Sequence, residues 1–170
     1  RATLTAALPA VDDIEVRVMG ADASLLRLLG ADDDPDRVPA NWQLLAFDAQ
    51  TVDSFLDGLD IFVHHTHPLW RESFGRGIAE ALAAGCVVIA EPETATNFAD
   101  VVLARTADDV ETTVRALWRE PERMAALAAR GREWIATHHG RDQHLARIDR
   151  LLGPAAPRRA IPRPKTDSVE

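Results

Sequence analysis

Two carboxylates, Glu72 and Glu80, stand eight positions apart on either side of Gly75-Arg76-Gly77. A carboxylate accepts two hydrogen bonds at once and suits the vicinal hydroxyls of a sugar. On one helix the pair is separated by about 12 Å along the axis, enough to hold two ends of one long ligand. Gly75 and Gly77 lack side chains, so a phosphate can come close to the backbone. Amides at a helix start have no partner within the helix and carry partial positive charge outward. Each feature also has an ordinary reading. Glu80 can pair with Arg76 four residues earlier. Glu72 can be a first-turn acid favoured by the helix dipole. The glycines can serve helix–sheet packing, and the third glycine of the dinucleotide fingerprint is missing.

On a helical wheel Phe74, Ile78 and Leu82 share one face, while Glu80 points the other way among Gly77, Ala83 and Ala84. That arrangement predicts a helix buried on both sides. A carboxylate there is costly unless it is hydrogen-bonded or opens onto a cleft.

His64, His65 and His67 lie near Glu72. A zinc site needs three or four ligands in fixed geometry, whereas His64 and His65 alternate across a strand end. No metal is expected; a histidine lining the ligand pocket is the preferred reading. His138, His139 and His144 flank Gly140 and read as solvated helix ends. Cys86 reads as a buried, inert thiol. Ser24, Ser54 and Ser73 lack a glycine-flanked nucleophile elbow. Trp118 and Trp134 read as core, and Trp70 as part of a ligand-side loop.

The elements that must position these residues alternate between strand and helix. Strands are expected over residues 14–19, 42–47, 60–64, 86–90 and 101–103. The run at 86–90 is continuously apolar, as in a central strand covered on both faces. Helices are expected over 23–29, 52–56 and 75–84, the last ended by Gly85. Beyond Ala107 the chain turns helical, over 108–119, 121–137 and 142–152, with Pro121 at an allowed first-turn position. Such alternation argues for parallel strands joined by right-handed crossovers. The predicted fold class is α/β, a Rossmann-like parallel sheet with helices on both faces and a helical C-terminal end. Ligands of such sheets sit beyond the carboxyl ends of the strands, where loop 65–73 leads into helix 75–84.

Residues 153–170 hold Pro154, Pro157, Pro162 and Pro164 among Arg158, Arg159, Arg163 and Lys165. They read as a disordered tail after a folded unit at 1–152. A basic tail can touch an anionic membrane surface, although nothing else indicates one. The chain of 170 residues carries a net charge of −8, which argues against nucleic acid as a partner. A lone cysteine excludes an internal disulfide and suits the cytoplasm. The opening Arg1-Ala2-Thr3-Leu4 reads as a cut within a longer chain, without a signal segment.

The stretch Glu72-Ser73-Phe74-Gly75-Arg76-Gly77-Ile78-Ala79-Glu80-Ala81-Leu82-Ala83-Ala84-Gly85 is similar to the signature of the GT4-like (group 1) glycosyltransferases. That signature has two glutamates separated by seven residues, Phe-Gly after the first, and Glu-Ala-x-Ala-x-Gly before the next strand. The likeness extends over residues 2–152. It implies the C-terminal, nucleotide-sugar-binding half of a GT-B enzyme that transfers a sugar with retention and needs neither metal nor cofactor. Glu80 would hold the nucleotide ribose and Glu72 the donor sugar near the diphosphate, as the catalytic contact. The amides of Ser73, Phe74 and Gly75 would face diphosphate or sugar, and the loop at Phe47 would touch the base. Arg76 stands where many members have an aliphatic residue; it can reach a phosphate or pair with Glu80. The resemblance implies an acceptor bound by an N-terminal domain outside this chain, with the basic pair gripping the diphosphate and the first strand of this half also missing. Glu91-Pro92-Glu93-Thr94 replaces a common glycine pair. Two other readings stand beside it: a non-catalytic domain that keeps only the scaffold, and a Rossmann oxidoreductase fragment.

Overall fold

The computed structural model describes residues 14–67 and 69–153. In chain order the elements are β1 Val16–Met19, α1 Ala23–Leu29, β2 Trp42–Leu45, α2 Val52–Leu56, β3 Ile61–His64 and α3 Arg76–Ala84. They continue with β4 Val87–Ala90, α4 Pro92–Ala95, β5 Val102–Ala104, α5 Val110–Trp118, α6 Pro121–His139 and α7 Arg141–Leu152. The fold is the predicted α/β arrangement with a helical end, and each strand pairing is parallel.

Local chemistry accounts for the boundaries. Asp22 caps α1 by accepting from the amides of Ser24 and Leu25 at 2.9 and 3.0 Å. Thr51 caps α2 through the Ser54 amide. α3 ends at Gly85, whose amide donates to Ala81 and Leu82 carbonyls.

The core lies around β4, whose four residues are all buried. Val88 and Ala90 join a cluster with Ile78, Leu82 and Phe98, against which Trp134 of α6 packs. Val87 and Ile89 face the opposite way, towards Val110, Val114 and Leu117 of α5. Strand alternation thus puts a helical layer on each face of β4.

The sheet is not one continuous ladder. β1 pairs with β2, and β3–β4–β5 form a separate three-stranded sheet. Doubly wound sheets of Rossmann order run 3-2-1-4-5-6. Within each sheet the order, β1-β2 and β3-β4-β5, is compatible with neighbouring strands of that order. Among the described residues no ladder joins the two sheets. The two sheets still share a core, since Met19 and Leu45 pack against the larger cluster and the Arg17 guanidinium lies 5.7 Å from the Phe55 ring centroid.

Several expectations change. The second strand stops at Leu45, leaving Phe47 in a turn, and the helix expected at 108–119 opens with a 3-10 turn, Ala107–Asp109. Trp118 is not core: α5 buries Val110, Val114 and Leu117, and Trp118 follows the last of these around the helix to stand 51% exposed. The tail beyond Gly153 lies outside the described residues, as does the start of the chain. Among the described residues no helix is long and apolar enough to cross a membrane.

Candidate functional site

The loop after β3 and the start of α3 meet at the carboxyl ends of β3 and β4. Gly75 is the N-cap of α3 with φ 91°, in the left-handed region, and has no side chain with which to cap. The first bond of the helix runs from the Ala79 amide to the Gly75 carbonyl, 3.1 Å. The amides of Gly75, Arg76, Gly77 and Ile78 precede that bond and are the uncapped donors of the helix start. A Cβ at Gly75 would lie 3.1 Å from Ile78, 3.2 Å from Phe98 and 3.3 Å from Thr94, so only glycine fits this junction without displacement.

Glu72 is not helical. It sits in the loop four residues before α3 and its Oε1 accepts from the Phe74 amide at 3.4 Å. The first-turn reading of Glu72 and the common helical axis of the two glutamates are therefore corrected; the left-handed Gly75 between them breaks the helical path. The amide of Phe74 is engaged by this bond, while Ser73 is exposed in the same bend. The Phe74 ring is held at 5.3 Å from Phe98 and 5.2 Å from His139. Asn97 donates to the Phe74 carbonyl, and Arg71 pairs with Glu93 at 3.0 Å. Together these contacts pin loop 71–74 onto α4 and α6.

Glu80 lies one turn into α3, and its Oε1 accepts from Arg76 Nε at 2.7 Å. The structure thus contains the ion pair that was the ordinary reading of Glu80, and that pair raises the Arg76 guanidinium above its usual value. The expected burial of this helix on both sides is overturned. Arg76 and Ala83 are exposed and the Glu80 side chain is 35% exposed, so α3 buries Ile78, Ala81 and Leu82 and leaves the opposite face open. Phe47, 82% exposed, stands in the turn after β2, near Gly20.

A polar cluster whose members the sequence reading named separately, without joining them, lies at the strand ends. Glu91, the first residue after β4, accepts from the hydroxyls of Thr66 (3.0 Å) and Thr94 at Oε1. Its Oε2 is buried without a partner, as are Nε2 of His64 and Nε2 of His65. Burial pushes the Glu91 carboxyl up, but bonds from Thr94, its own backbone and Thr66 outweigh it, and the net shift is downward. Burial holds His65 below the usual histidine value, reinforced by His64 and opposed by Glu91. The available signal was an acid directly after a buried apolar strand, at the ligand end of a parallel sheet.

Among the described residues no group of three His, Cys, Asp or Glu is placed to hold a metal ion. Cys86 is buried, its Sγ near the Leu56 and Leu59 carbonyls, and burial with Asp60 and Asp57 pushes the thiol up to about 11. It is an inert core thiol. His138 and His139 are more than solvated helix ends: both rings pack on Trp134, at 4.7 and 5.1 Å. A depression of about 510 Å³ lies beside β5 and α5, lined by Arg105, Thr113 and Arg123 among others. It contains no member of the predicted set, and its two arginines are already bonded within the fold.

The domain is of the α/β class with parallel strands, and it places an uncapped helix start and acidic side chains at their carboxyl ends, where ligands of open parallel sheets sit. The family model described as glycosyl transferase-like matches residues 1–150. The chain belongs to this family and is a group 1 glycosyltransferase-like domain. No curated protein matches the chain.

Proposed function

We propose that this domain binds the nucleotide-sugar donor of a retaining glycosyltransferase. The observation that carries the reading is the start of α3, where uncapped amides meet the strand ends with Glu72 before them and Glu80 one turn behind. An anionic diphosphate is favoured by the amides and the helix dipole. Glu80, half-exposed on the open face, accepts from the ribose hydroxyls once Arg76 swings aside. That exchange is inexpensive because exposed ion pairs contribute little. Arg76 is then free to reach a phosphate. Glu72, beside the Ser73, Phe74 and Gly75 backbone, contacts the donor sugar, and Phe47 offers an exposed ring to the base. No metal or cofactor enters this reading, because amides and a cationic side chain can carry the leaving-group charge. The acceptor is bound by a separate domain, and the natural setting is the cytoplasm.

A scaffold-only reading draws on the Arg76–Glu80 pair, which occupies the carboxylate within its own helix. Calorimetric titration of the chain with UDP, GDP, ADP and their sugar conjugates, up to about 1 mM, separates the two. Donor binding predicts selectivity for one nucleotide and about tenfold or greater weakening in Glu80→Ala, the loss expected for two hydroxyl bonds to a carboxylate. Absence of binding by every nucleotide leaves the scaffold reading.

A further inference from the structure

We infer that Glu91 is a specificity-determining residue of this crevice: its carboxylate receives hydroxyl groups of an uncharged sugar and excludes ligands with a negative charge at that position. The inference rests on the donor-binding reading above and assigns its sugar end.

Position comes first. β3 and β4 are in register with His64 beside Ala90, so the next residues, His65 and Glu91, leave the sheet side by side at its carboxyl edge. Thr94, which donates to Glu91, is also the residue that a Cβ at Gly75 would meet at 3.3 Å. The Glu91 cluster therefore adjoins the uncapped start of α3. His64, His65, Thr66 and Glu91 are all half-buried, which puts them at the rim of the sheet and not in its core.

The chemistry follows from what is bonded and what is not. Two threonine hydroxyls occupy Oε1 of Glu91, whereas Oε2 and the Nε2 atoms of His64 and His65 are buried without partners. A buried polar atom left unpaired costs about 1–3 kcal/mol. A hydroxyl can donate to Oε2, and it can meet a ring nitrogen in either tautomer because it both donates and accepts. A phosphate or carboxylate only accepts, and beside Glu91 it meets a like charge. The two ends of the crevice thus differ in sign. The amides at α3 favour the anionic part of a ligand, and Glu91 favours the neutral, hydroxylated part. A tether role for Glu91, joining loop 65–73 to α4, makes a different prediction: loss of stability on substitution with no change in selectivity.

The test compares UDP-glucose with UDP-glucuronate, or the GDP or ADP counterparts, by calorimetry on the 170-residue chain. The expected result is at least about tenfold tighter binding of the neutral sugar. Glu91→Gln keeps an oxygen for the threonines but removes the charge, and should bring the ratio towards one. Glu91→Asp keeps the charge and should keep the preference. Equal affinities in the unaltered chain overturn the proposal even where Glu91→Gln fails to fold. So does an unchanged ratio in a folded Glu91→Gln, whatever its melting temperature. Binding of the nucleotide without sugar discrimination removes this inference alone; failure of every nucleotide to bind removes the donor-binding reading with it.

Discussion

The two sheets of this domain are built to different standards. In the β3–β4–β5 half every residue of β4 is buried and α3 contributes Ile78, Ala81 and Leu82 to the core. In the β1–β2 half every residue of β1 is only half-buried, β2 buries Trp42 alone, and α1 has no buried residue. The difference follows from coverage. β4 has a neighbour strand on each side and helices over both faces, so its apolar residues are excluded from water in every direction. β1 has one strand partner among the described residues. The closely packed half holds the left-handed Gly75, the amides after it and the Glu91 cluster. The open half presents Phe47, a single exposed ring.

The largest effect expected from this contrast is on stability. Leu82 is wholly buried between α3 and its neighbours, and Leu82→Ala should lower the unfolding free energy by about 3–5 kcal/mol. Leu26→Ala, on α1 where nothing is buried, should cost about 1 kcal/mol, in proportion to the smaller apolar area removed from contact. Urea unfolding of the two variants measures both, provided each transition is two-state. Similar losses would mean that the two halves are equally well packed.

A smaller difference is expected between two glycines that both adopt positive φ. Gly20 (φ 82°) follows β1 and Gly75 (φ 91°) precedes α3. A non-glycine residue in this region costs about 1–2 kcal/mol from local sterics alone. At Gly20 a Cβ meets only Phe47, at 3.5 Å, which is ordinary contact. At Gly75 it meets Ile78, Phe98 and Thr94 between 3.1 and 3.3 Å. Gly20→Ala should therefore cost about 1 kcal/mol and Gly75→Ala about 2–3 kcal/mol, with crowding added to strain. Gly75→Ala should also weaken nucleotide binding, and Gly20→Ala should not. Equal thermal shifts in the two variants would count against the difference in packing.

The same contrast governs how much could be read from the sequence. The packed half was legible because its constraints are local and repetitive: an apolar run for β4, Ile78 and Leu82 four apart on α3, glycines at both ends of that helix; Phe74, expected on the same face, instead lies in the loop before α3 and is exposed. What was not legible depends on tertiary partners. Whether Glu80 opens on a cleft or pairs with Arg76 turns on which face of α3 is covered, and Ala83, a small residue suited to either, gave no sign. Glu72 fell outside the helix because Gly75 is left-handed, a conformation that its residue type permits but does not demand. The exposure of Trp118 depends on which part of α5 its neighbours cover, and they cover Val110, Val114 and Leu117. The Glu91 cluster joins residues 64–66 with 91 and 94, which only the parallel register of β3 and β4 brings together. The break between the two sheets is likewise a property of pairing and not of pattern.

The smallest effect concerns pH, and it belongs to one half alone. All six histidines lie at position 64 or beyond, so none is in the β1–β2 half. In the folded chain burial holds His65 below the ordinary value of 6.5, and burial with Arg147 and His138 holds His139 below it too. The unfolded chain therefore takes up protons near 6.5 that the folded chain does not. Stability is at its plateau above that pH and falls as pH drops through it, levelling once the folded histidines titrate. Glu91 acts lower: its folded carboxyl is depressed, so its contribution is full above about 4.5 and is lost on further acidification. Between about pH 7.5 and 5.5 the histidines alone should decide the slope. The melting temperature should fall across that window, and His65→Asn with His139→Asn should flatten the fall. A slope that survives the double substitution must come from groups outside these two, and would detach the pH response from the site that the packed half holds in place.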